Sequence, residues 1–93
     1  MTMITHDEAC EKILNHYGIQ HQKIKLIEEM SELILEIAKS PESMITDTMV
    51  SEIADVQIVL TQICGALSLV QKSYLDDITA YKIRRQLARM EGE

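Results

Sequence analysis

A chain of 93 residues with 46% hydrophobic and 26% charged residues has the composition and length of one globular domain, not of a disordered tail. Its formal net charge of −6 argues against duplex nucleic acid as the main partner, because such affinity comes largely from neutralising phosphates. Three Gly and one Pro are too few turn formers for a β-sandwich or barrel, and the absence of Phe and Trp leaves Ile, Leu, Met and Val to build the core.

Four helices are predicted in chain order. The first opens at Thr5, where Thr5 and Glu8 have the spacing of a capping box, and closes near Tyr17-Gly18. The second runs from about Gln20 to Lys39 and stops at Ser40-Pro41, because proline disfavours helical geometry in the residue before it. The third begins between Ser40 and Asp47, with Pro41 an alternative first residue, and continues to about Leu67. The fourth follows a second capping box, Ser68 to Gln71, and spans about Val70 to Met90. Short connections favour antiparallel neighbours, so the expected fold is an all-α, antiparallel four-helix bundle forming a single domain over residues 1–93.

No apolar run has the length of a membrane span, and the start lacks the pattern of a secretory signal. Two cysteines, Cys10 and Cys64, make no disulfide scaffold, so a cytoplasmic location is expected.

Charge is unevenly distributed. Eight acids and one base, Lys39, lie between Glu28 and Asp55, whereas all three arginines lie between Arg84 and Arg89. On the second helix Leu26, Met30, Leu33, Ile34 and Ile37 form an apolar stripe, Glu28, Glu29, Glu32 and Glu36 cluster on the other side with Glu29 and Glu36 at the stripe's edge, and Glu29 and Glu32, three apart, share a face. The third helix is apolar nearly all round, which predicts burial on most sides. Glu52 falls in the middle of its densest apolar arc and Asp55 at the edge. An unpaired carboxylate there costs several kcal/mol, so it needs a cation from the fourth helix or a metal ion. Two acid pairs on antiparallel helices can converge, and four carboxylates without nitrogen or sulfur ligands suit Mg²⁺ or Mn²⁺. His6, His16 and His21 read as surface or interhelix hydrogen-bonding residues.

On the fourth helix Lys82, Arg85 and Arg89 fall within roughly 60° of one another, while Arg84 points away. Such a face fits a chain of phosphates, and Mg²⁺ is usually held by carboxylates and substrate phosphates together. The third helix leaves Ile58 and Val50 uncovered in a single bundle, so a homo-oligomer, dimer or tetramer, is expected.

Lys25-Leu26-Ile27-Glu28-Glu29-Met30-Ser31-Glu32-Leu33, followed by Ser51-Glu52-Ile53-Ala54-Asp55-Val56, resembles the ExxE…ExxD signature of the all-α nucleoside triphosphate pyrophosphohydrolases. That superfamily contains MazG-like proteins, dimeric dUTPases and HisE phosphoribosyl-ATP pyrophosphatases. The segment Tyr81 to Arg89 resembles the basic ending of short MazG-like members. The HisE branch typically carries a histidine soon after the final aspartate, where this chain has Gln57-Ile58-Val59. The resemblance implies Mg²⁺ at Glu29, Glu32, Glu52 and Asp55. It also implies hydrolysis of a nucleoside triphosphate between the α- and β-phosphates, giving a monophosphate and pyrophosphate. Glu28, beside the ligand pair, is the candidate to take the proton from water, with Glu32 and Glu36 as alternatives. A non-enzymatic helical interaction module, its acids solvated or paired with the basic tail, is the competing expectation.

Overall fold

A computed structural model describes residues 3–93, and among them all regular structure is helical. The elements are α1 (His6–Tyr17), α2 (Ile19–Lys39), α3 (Asp47–Gly65) and α4 (Leu69–Glu91). No helix is long and apolar enough to cross a membrane.

Local chemistry sets most boundaries. Thr5 Oγ1 accepts from the Glu8 amide at 3.0 Å, and Glu8 Oε2 accepts from the Thr5 amide at 3.4 Å, closing the first capping box. Ser68 and Gln71 form the second, at 3.1 and 2.9 Å. Each such cap contributes about 1 kcal/mol to its helix. Among the competing caps before α3 the chain uses Thr46, whose hydroxyl accepts from the Met49 amide at 3.1 Å. Pro41 therefore lies in the turn and not in the helix. Between α1 and α2 the only residue outside a helix is Gly18. Its φ of 85° and ψ of 158° belong to a region essentially restricted to glycine.

The helices α2 and α3 pack antiparallel. Gln22, near the start of α2, bonds Gln62, near the end of α3, while Glu29 and Glu32 meet Glu52 and Asp55 further along. α1 packs on α3 and touches α2. These three helices form the body. α4 packs along none of them and contains no buried residue, so the expected four-helix bundle is, within one chain, a three-helix body with a projecting fourth helix.

The shape follows. The radius of gyration is 16.5 Å, whereas a compact chain of this length has about 12 Å. The accessible surface is 7836 Å², roughly 2,300 Å² more than the ~5,500 Å² of a compact monomer of this mass. The expectation that α3 is buried on most sides fails for the single chain, since its only fully buried residues are Val59 and Gln62. Val50 and Ile58 are about half exposed, as their wheel positions anticipate.

Candidate metal centre

Glu29, Glu32, Glu52 and Asp55 converge, each offering a carboxylate oxygen within 4.8 Å of those of the others. The i, i+3 spacing points both acids of each helix to one side, and antiparallel packing sets the two sides face to face. Burial is graded across the group: Glu29 is 8% exposed, Glu52 and Asp55 are half-buried, and Glu32 faces solvent. The sequence puts Glu52 at the centre of an apolar arc and Glu29 at an edge. The structure makes Glu29 the more enclosed, because its face of α2, and not only the neighbouring stripe, lies against α3.

Two oxygens in this cluster, Glu29 Oε2 and Glu52 Oε2, are buried without a hydrogen-bond partner. An orphaned carboxylate oxygen is costly, so a cation between the helices would relieve a defect as well as fill a space. The donor set consists of oxygen alone and fits a hard divalent cation. The electrostatics agree. Glu32 is raised above the ordinary carboxylate value by the charge of Glu29, then by desolvation and by the charge of Glu52.

Glu52 gains no ion pair among the described residues, and the cation beside Glu29 comes from an unexpected place. Neither α4 nor α3 supplies it; Lys25, one turn earlier on α2, places Nζ 3.1 Å from Glu29 Oε1 and 3.6 Å from Glu28 Oε2. Its ammonium is held protonated above its usual range, chiefly by Glu29. Glu28 is an exposed partner of Lys25 and lines the cleft beside Glu29, outside the four-acid cluster. Glu36 instead pairs with Lys39 at 3.8 Å, which ties it to the far end of α2.

That cleft, about 540 Å³, runs from Glu28, Glu29 and Asp55 towards the α1–α2 joint. At the joint Tyr17 and His21 stack, with ring centroids 4.8 Å apart and planes 17° from parallel, and His16 meets Tyr17 edge-on. His21 Nδ1 lies 2.6 Å from Gln22 Oε1, and Gln22 Nε2 donates to Gln62 Oε1 at 2.7 Å. Sequence reasoning missed both glutamines. A signal exists: Gln22 precedes Glu29 by seven residues and Gln62 follows Asp55 by seven, two helical turns along the same faces.

Lys82, Arg85 and Arg89 line one shallow cleft on α4, with Arg84 outside it. The Arg85 guanidinium lies 5.8 Å from the Tyr81 ring centroid, a cation–π distance. This basic face shares no residue with the acidic cleft, and within one chain the structure does not bring the two together.

No protein-family model, curated protein or solved structure matches the chain. The likeness to the pyrophosphohydrolases rests on the motif residues.

Proposed function

We propose that the chain is a divalent-metal-dependent nucleoside triphosphate pyrophosphohydrolase of MazG-like type, releasing a nucleoside monophosphate and pyrophosphate. The observation that carries the reading is the pair of orphaned oxygens, Glu29 Oε2 and Glu52 Oε2, inside a four-carboxylate cluster. Glu29, Glu32, Glu52 and Asp55 would hold Mg²⁺ or Mn²⁺, which supplies charge neutralisation on phosphate oxygens and a more acidic water. Glu28, on the cleft rim beside Glu29, accepts the proton of the attacking water, and the ion pair with Lys25 orients it for that role.

Lys82, Arg85 and Arg89 are the phosphate-binding face of this reading. A homo-oligomer, dimer or tetramer, completes it, because α4 of a second copy can carry that face to the acids. Two features favour association. The surplus of roughly 2,300 Å² exceeds the ~800 Å² that each partner of a stable complex contributes. The charges are also complementary, an acidic body against a basic stretch from Lys82 to Arg89. A reducing cytoplasm suits the two free cysteines, Cys10 and Cys64.

The test is a panel of nucleoside triphosphates scored for pyrophosphate release with Mg²⁺ and with EDTA. Release that requires the metal is expected. Turnover in EDTA, or none on any nucleotide, would overturn the reading and favour an interaction module.

A further inference from the structure

Glu29 uses its two oxygens differently. Oε1 lies 3.1 Å from Lys25 Nζ, whereas Oε2 is buried with no hydrogen-bond partner. The whole residue is 8% exposed, so bulk water does not supply the missing partner. One oxygen is thus committed within α2, and the other is left for a ligand. The division has a local cause. Lys25 precedes Glu29 by four residues, which stacks the two side chains on one face of the helix. Nothing else competes for the role: α3 contains no Lys or Arg, and Lys25 is the one Lys or Arg among the described residues that line the cleft. Glu32, Glu52 and Asp55 make no ion pair among the described residues, so Glu29 alone of the four acids is held in this way.

We infer that Lys25 is a positioning residue for the metal centre: by holding Glu29 Oε1 it restricts Glu29 to a single ligand oxygen, Oε2, and so makes the cluster favour Mg²⁺ and Mn²⁺ over Ca²⁺. The inference rests on the metal-centre part of the pyrophosphohydrolase reading. Ca²⁺ gathers about six to eight oxygens and commonly takes both from one carboxylate. Mg²⁺ takes about six, close in and nearly octahedral, and draws several of them from water or phosphate. A carboxylate with one oxygen already occupied therefore costs Ca²⁺ a ligand and costs Mg²⁺ none. Groups that hydrogen-bond a ligating carboxylate set its orientation in this manner and affect the metal strongly. A lysine that acted only as a nearby charge would behave differently, because its repulsion weakens every divalent cation to the same degree. The two roles separate in the ratio of affinities and not in either affinity alone.

The experiment measures metal binding with no nucleotide present. Bound Mn²⁺ is followed by electron paramagnetic resonance and displaced with Mg²⁺ or with Ca²⁺. The proteins are the parent, Lys25→Met and Lys25→Arg. The Lys25 side chain is 45% exposed, so both variants should fold as the parent does, which circular dichroism checks. Lys25→Met removes the ion pair and should lower the ratio of the Ca²⁺ to the Mg²⁺ dissociation constant about tenfold or more. Lys25→Arg can keep a hydrogen bond to Glu29 Oε1 and should leave that ratio within about threefold of the parent's. Any ratio in Lys25→Met that does not move towards Ca²⁺, an equal tightening of both metals included, would overturn the inference and reduce Lys25 to a charge. A shift in Lys25→Arg as large as in Lys25→Met would overturn it too, because the pair with Glu29 would not be the cause. A parent that holds no Mn²⁺ would instead overturn the metal-centre reading beneath it.

Discussion

At the scale of single residues, two glycines make opposite predictions. Gly18 has open space where a Cβ would stand, yet its φ of 85° with ψ near 158° is a conformation that side chains resist. Gly18→Ala should cost about 1–3 kcal/mol in chemical denaturation through backbone strain alone. Gly65, also without a close neighbour, ends a helix at ordinary φ, so Gly65→Ala should gain about 0.4–1 kcal/mol. The acids make a further pair. Glu52→Gln removes a half-buried charge whose Oε2 has no partner, so the metal-free protein should melt no lower than the parent while the stabilisation by Mg²⁺ disappears. A retained Mg²⁺ shift of parental size would show that Glu52 is not a ligand. For Glu32 the folded protein binds its proton more readily than the unfolded chain does, because its value is raised chiefly by Glu29. The metal-free protein should therefore gain stability from this group as pH falls towards the ordinary carboxylate range, and lose it again as pH rises. Melting curves in EDTA should show a smaller gain for Glu32→Gln.

At the scale of helices, what was legible in the sequence was local. The capping pairs Thr5–Glu8 and Ser68–Gln71 need only four consecutive residues, and both are formed. The acid quartet was legible because three-residue spacing fixes a common side on any helix. The start of α3 was not, since several hydroxyl and carboxyl caps compete over residues 40–47 and tertiary packing decides among them. The burial of Glu29, the pairing of Lys25 with it and the Gln22–Gln62 bond depend on which face of α2 meets α3, which no single helix encodes. The rim of α4 provides the prediction at this scale. Lys82, Arg85 and Arg89 line one cleft and Arg84 does not, so Arg85→Ala should weaken nucleotide binding several-fold more than Arg84→Ala. Equal losses would reduce the cluster to general charge.

At the scale of the whole molecule, the projecting α4 decides the behaviour. Leu69, Val70, Tyr74, Tyr81, Leu87 and Met90 are all at least half exposed on it, and Ile27, Ile34 and Ile37 are likewise uncovered on α2. Exposed apolar side chains in this number favour the proposed association. Light scattering at micromolar concentration should therefore give a mass at least twice 10.6 kDa, and a folded, active monomer would contradict it. In the proposed oligomer α4 finds its apolar partners on another chain, which also changes the order of the folding reaction. The amides of α4 should gain protection from hydrogen exchange only after two chains meet, so its ordering should follow second-order kinetics and slow on dilution, whereas α2 and α3 should pair at a rate indifferent to concentration.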